Sequence, residues 1–168
     1  MKTPNKAKKF AAQSGLPEDY VLILRREVYS YLPKPVNLDK FPGIKKGPID
    51  KLNNIGIKNT LHLFNRVKTP DDRNELASET GLSNDEIMRL TKFCDLSRVK
   101  WMGPIFARLF LELKADTVEK LSESNPEILY EKLVEINNSK GYTKAKFVEN
   151  DVRLYVNLAK MVPNVIKY

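Results

Sequence analysis

Two stretches of this chain read as copies of one another. Residues 13–24, QSGLPEDYVLIL, align with residues 79–90, ETGLSNDEIMRL, 66 positions later. Gly15 falls on Gly81, Leu16 on Leu82, Asp19 on Asp85, Val21 on Ile87 and Leu24 on Leu90. Further on, FPGIKKGPIDKLNNIGI (41–57) aligns with VKWMGPIFARLFLELKA (99–115) at an offset of 58. There Ile44 falls on Met102, Ile49 on Ala107, Leu52 on Phe110 and Ile57 on Ala115, and Thr60 matches Thr117 after a one-residue shift. A repeat of this length commits the chain to two copies of one supersecondary unit: a helix after Gly-Leu, a hairpin, a short helix and a Thr-capped helix. The first copy holds about eight extra residues, assigned to YLPKPVNL, where Pro33 and Pro35 cannot sit inside a helix.

The periodicity within the copies is helical. SNDEIMRLTKFC opens with Ser83 and Glu86 at capping-box spacing, and Ile87, Leu90 and Cys94 then mark one buried face. NPEILYEKLVEIN starts with Asn125 as N-cap and Pro126 at the first helical position, with Leu129, Leu133 and Ile136 as its stripe. TPDDRNELASETG has Thr69 as cap, Asp71 and Asp72 facing the positive end of the helix dipole, and Gly81 as terminator. Val148, Val152, Tyr155 and Ala159 form a last stripe. No run alternates apolar and polar residues as a strand requires. The expected fold is all-α: a basic N-terminal arm (1–10), a first unit (11–68), and a second unit that carries C-terminal helices (69–168).

Composition narrows the chemistry. His62 and Cys94 are the only histidine and the only cysteine. They cannot form an internal disulfide or a zinc site of ordinary ligand count, they speak against a Cys/His or Ser/His/Asp catalytic set, and ordinary packing or surface roles are expected for both. No cofactor and no metal are expected. A single cysteine and the absence of an apolar run of 18 residues fit a cytoplasmic protein with no membrane partner. The start MKTPNKAKKF is basic but lacks the apolar stretch of a secretion signal. The net charge is +8, and residues 1–50 hold ten Lys or Arg against five Asp or Glu. Positive charge clustered around the first hairpin attracts polyanions over a Debye length, about 8 Å at physiological salt; a solubilising surface is the plainer reading.

The pattern Pro-Gly-Ile-x-x-x-x-Ile-x-x-Leu-x-x-x-Gly-Ile over 42–57 resembles a helix-hairpin-helix motif, and 99–115 carries the same motif in degenerate form. The wider stretch 75–138 resembles a bacterial and archaeal family of domains of unknown function, DUF4332, at Thr80-Gly81, Asp95-Leu96, Arg98, Gly103, Ala107, Asp116-Thr117-Val118, Leu121 and Asn125-Pro126. The first copy is similar to it more weakly, and together the likeness covers 11–162. The resemblance implies tandem helices of the sterile-alpha-motif-like kind and no agreed activity.

Hairpins of this type hold a phosphate because glycines take positive φ and bring backbone N–H groups close to it, while the next helix points its N-terminus at the same anion. Such a contact reads the backbone rather than the bases. Two departures stand out. Lys45 occupies the second glycine position of the first hairpin, where it must take positive φ at a cost or change the shape of the loop. Trp101 occupies the first glycine position of the second, either as a packing anchor between the units or as an exposed aromatic that stacks on a base or partner. The expected contact residues are Gly43, Ile44, Lys45, Lys46, Gly47 and Lys51 in the first hairpin. Lys100, Gly103 and Arg108 join them from the second, which is mainly structural, and the arm Lys2, Lys6, Lys8 and Lys9 adds range.

Three readings of function follow. One is a non-enzymatic module that binds nucleic acid, DNA ahead of RNA, through the phosphate backbone. A second is a protein-interaction adaptor that pairs with itself or another helical domain. A third is a DNA-repair glycosylase-like enzyme, since such enzymes carry a catalytic Asp beyond the hairpin and Asp71 and Asp72 stand at a loosely similar distance. The first turn after Thr-Pro already accounts for both aspartates, and the repeat leaves little chain for a base pocket.

Overall fold

The computed structural model describes residues 3–168, so Lys2 of the basic arm lies outside the described residues. Among them the chain is all-helical, and its only pairing of the sheet type is an isolated antiparallel bridge between Asn37 and Asn59. No helix among them is long and apolar enough to cross a membrane. The chain divides into two compact units, Met1–Pro33 and Lys34–Tyr168. The leading helix of the first copy therefore lies in one unit and its hairpin in the other.

The N-terminal unit is a helical hairpin. Helix α1 (Pro4–Ser14) takes up much of the stretch expected as an arm; the Thr3 side chain caps it, and Gly15 ends it at φ 71°. Helix α2 (Glu18–Ser30) follows, with acidic Glu18 and Asp19 in its first turn. Only Ala7, Ala11 and Val21 are buried between them. A core of two alanines and a valine is small even for about 30 residues, a size at which chains usually need outside help to stay folded.

The second unit is built around one helix. After a 3-10 turn at Leu38–Lys40 come α3 (Lys46–Asn54), α4 (Thr60–Phe64), α5 (Pro70–Thr80) and α6 (Asn84–Leu96). Then follow α7 (Pro104–Glu112), α8 (Val118–Glu123), α9 (Pro126–Lys140) and α10 (Glu149–Ala159). Ile87, Leu90 and Cys94 of α6 pack with Ile49, Leu52, Ile57, Leu63 and Leu76 in one core cluster. Phe93 and Leu96, from another side of α6, join Phe41, Phe110, Leu121, Leu133 and Val156 in a second. Helix α6 is thus shared by both hairpins of the sequence.

The helix boundaries follow local chemistry. Thr69 with Asp72, and Ser83 with Glu86, close reciprocal capping boxes, Asn125 accepts from two backbone N–H groups, and Gly81 ends α5 at φ 60°. Three expectations need correction. Thr60 is not a cap: Asn59 caps α4, and Thr60 is buried with its hydroxyl accepting from the Val36 N–H at 3.1 Å. Val148 precedes α10 and is exposed, so the buried stripe of that helix starts at Val152. Leu24 is exposed whereas its repeat partner Leu90 is buried, because α3 and α4 pack their apolar residues against α6.

Candidate anion-binding site

The first turn, residues 41–45, is pinned from below. Phe41 is buried with its ring 4.9 Å from that of Phe93, and Ile44 packs partly buried against both core clusters. Ile44 therefore anchors the turn while still lining the cavity beside it. Between them Gly43 sits exposed at φ +78°, in the left-handed region. Lys45 does not pay the expected strain: it is extended at φ −74° and takes the N-cap position of α3. The loop changes shape instead. With no side chain capping α3, the Lys46 and Gly47 N–H groups belong to the set that a helix start leaves without intrahelical partners. Lys45, Lys46 and Gly47 are all exposed.

Two arginines from distant parts of the sequence meet at this glycine. A Cβ on Gly43 would lie 3.1 Å from Arg108 Nη1 and 3.1 Å from Arg89 Nη2. Arg89 comes from α6 and Arg108 from α7. Arg108 pairs with Glu112 one turn on, and its Nε donates to the Tyr142 hydroxyl at 3.2 Å. Glu112 also accepts from Lys140 at 2.9 Å and from Tyr142 at 3.2 Å. Its carboxyl is held below the usual range, by the Lys140 hydrogen bond first and then by Arg108 and Tyr142, against an opposing effect of burial. Arg89 has no such partner. Burial first, and then the positive charge of Arg108, lower its pKa from the ordinary arginine value.

Arg89 Nε and Arg108 Nη1 are buried without a hydrogen-bond partner. A desolvated donor left without an acceptor costs about 1–3 kcal/mol, more when charged. Beside them a cavity of about 190 Å³ is lined by Gly43, Ile44, Lys45, Pro48, Glu86, Arg89 and Leu90. The Glu86 carboxylate is already engaged by the Ser83 backbone and hydroxyl, which hold it below the usual range. The arrangement concentrates cationic donors at a backbone turn and satisfies them incompletely, which suits a small oxyanion.

The second turn is built otherwise. Trp101 stands at the position of Gly43 and adopts φ 66°, the left-handed region that a residue with a Cβ enters at a cost. Trp101 is 62% exposed, so it is not a packing anchor. Lys100 was expected as a contact residue, but it is only 7% exposed and its ammonium lies 4.4 Å from the Trp101 ring centroid. The Tyr155 hydroxyl donates to the Trp101 carbonyl at 3.3 Å. Gly103 keeps φ −82° and caps α7.

The remaining expected residues lie elsewhere. Lys51 donates to the Gly81 carbonyl at 2.8 Å, at the end of α5. Lys6, Lys8 and Lys9 sit on α1, where Lys8 pairs with Glu18 at 2.9 Å. Asp72 is a cap residue, accepting from the Thr69 N–H at 2.9 Å. Cys94 is buried and its thiol pKa is pushed up to about 12 by burial. No group of three or more His, Cys, Asp or Glu able to hold a metal occurs among the described residues. Reading the sequence missed Arg89. Its one signal is position: it lies three residues after Glu86 and one before buried Leu90, at the edge of the apolar stripe of α6.

A family model described as Domain of unknown function (DUF4332) matches residues 42–162. No curated protein and no solved structure gives a significant match.

Proposed function

The chain belongs to the DUF4332 family of domains of unknown function, and from that premise we propose that it is a non-enzymatic helix-hairpin-helix module that binds nucleic acid through phosphate. The observation that carries this reading is the convergence of Arg89 and Arg108 on the left-handed Gly43, with buried donors unpaired beside a small cavity. Exposed Lys45 and Lys46, at the mouth of the same turn, extend the positive surface toward the rest of a polyanion. Nothing in this geometry addresses base edges, so preference among sequences is slight, and DNA is the favoured partner. Titrating a generic duplex at increasing salt tests it: affinity falls steeply with salt, and the double change Lys45→Glu, Lys46→Glu removes most of it. Salt-insensitive binding, or none at low salt, sinks the reading.

A second reading, a self-associating adaptor, is favoured by α2. Tyr20, Ile23, Leu24, Val28 and Tyr31 recur at helical spacing and are 42–58% exposed. Leu24 and Val28 stand at the repeat positions of Leu90 and Cys94, which are core residues of the second unit. Phe10, Leu16 and Leu32 are exposed as well, and a standard interface takes about 800 Å² from each partner. The occupant that matches such a face is a second copy of it. Sedimentation of the full chain shows a concentration-dependent dimer that Ile23→Glu with Val28→Glu abolishes; a monomer at every concentration rules it out.

A further inference from the structure

We infer that the pocket beside Gly43 takes a terminal phosphate monoester, the phosphorylated end of a nucleic-acid strand, in preference to an internal phosphodiester. The inference rests on the nucleic-acid reading above and goes further in naming the ligand group.

The argument is one of charge and room. The charge-bearing groups around the pocket are Lys45 from the turn, Glu86 and Arg89 from α6, Arg108 and Glu112 from α7, and Lys140 at the end of α9. Tyr142 adds a hydroxyl. Four cations thus face two carboxylates. Glu86 is turned to the Ser83 cap, and Glu112 is shared among Arg108, Lys140 and Tyr142. With Lys46 and Lys51 close by, at least two positive charges remain to be matched. A phosphodiester brings one negative charge, whereas a monoester brings close to two at neutral pH, with a third non-bridging oxygen. That extra oxygen supplies a further acceptor beside Arg89, which lines the cavity, and Arg108, which abuts Gly43, each with a buried donor that has none. The cavity of about 190 Å³ is below the roughly 300–1,000 Å³ of ordinary small-molecule pockets. It holds one phosphate and not the sugars on both sides of an internal one. A strand end meets that limit, because only one sugar follows the phosphate.

The test compares the full chain on four oligonucleotides of one sequence: 5′-phosphorylated, 3′-phosphorylated, doubly phosphorylated and hydroxyl at both ends. Fluorescence anisotropy at fixed salt is expected to show about tenfold tighter binding to at least one phosphorylated end than to the hydroxyl-ended strand, as suits a charge-assisted contact. The two singly phosphorylated strands separate the 5′ end from the 3′ end. Arg89→Gln removes the difference between phosphorylated and hydroxyl-ended strands, whatever it does to their common affinity. An independent arm needs no variant. Between pH 7.5 and about pH 5 the monoester takes up a proton, so the preference shrinks. Glu86 and Glu112 are both held below the usual carboxylate range and do not titrate in that window. Equal affinity for all four strands overturns the inference and leaves the nucleic-acid reading standing. Binding to none of them at low salt overturns both. A preference unchanged at pH 5 also overturns the inference, since it would not depend on the second charge.

Discussion

At the residue scale, two glycines separate conformation from contact. Gly43 and Gly56 share a left-handed backbone, at φ +78° and +84°. A Cβ on Gly56 would meet nothing within 4 Å, whereas one on Gly43 would press on both guanidiniums. Replacing either by Ala costs about 1–2 kcal/mol of stability for the left-handed backbone. Only Gly43→Ala also displaces Arg89 and Arg108 and weakens binding to a phosphorylated oligonucleotide. Thermal unfolding and anisotropy on the two variants check this, and equal binding by both would remove Gly43 from the site. How far this was legible in the sequence depends on the range of the interaction. The need for Gly at 43 is written in a few neighbouring residues, as are the caps at Thr69, Ser83 and Asn125. That Arg89 and Arg108 meet there is not, because it depends on how α6 and α7 pack some 45 and 65 residues away. No local pattern distinguishes an arginine aimed at a turn from one aimed at solvent.

At the scale of elements, the two turns show how one repeat yields two different surfaces. The first keeps its glycine, buries Phe41, half-buries Ile44, and exposes Lys45 and Lys46. The second puts Trp101 in the same backbone conformation, leaves it exposed and sets the Lys100 ammonium against its ring. Its apolar counterpart of Ile44, Met102, is fully inside. The periodicity marked the helices of the second unit, missed α1, and left open what the tryptophan does, since a large apolar residue at a repeat position is assigned to core or surface only by the backbone that carries it. Exposure leads to a sharp expectation for Trp101→Gly. Relief of the left-handed strain and loss of the cation–π contact nearly cancel, leaving stability within about 1 kcal/mol of the parent. A packing anchor would instead lose about 3–5 kcal/mol on truncation. Chemical denaturation of the variant distinguishes the two.

At the scale of the whole molecule, polar ties hold the second unit together across long sequence distances. Asp116 is almost fully buried between Lys92 of α6, at 2.5 Å, and Lys120 of α8, at 2.8 Å. Burial alone would raise its carboxyl, but hydrogen bonds from Lys120 and Lys92 outweigh it and hold the pKa below the usual value. A carboxyl depressed in the folded state contributes stability that is present above its unfolded pKa, about 3.9. That contribution is lost as pH falls through the lower folded value. Asp116→Asn is thus expected to cost about 1–3 kcal/mol at pH 7 and to flatten the fall in stability below pH 4. An unchanged acid-unfolding curve would show that the pair contributes nothing net. A second tie joins the chain end to α5 and to α6. Arg73 donates to the Lys167 carbonyl at 2.7 Å, and the Tyr168 hydroxyl donates to Asp95 at 3.1 Å. These links hold α6 in place, and α6 carries Arg89 to the first turn, so the stability of the unit and the geometry of the pocket depend on the same helix.

The central claim is that the chain binds phosphate at the first turn, and amide chemical-shift mapping of the full chain during titration with a short end-phosphorylated oligonucleotide at low salt tests it most directly. The account predicts that the largest changes fall on Gly43 to Gly47, with the side-chain signals of Arg89 and Arg108. Changes confined to α2 or to the surface around Trp101, or no changes at all, would contradict it.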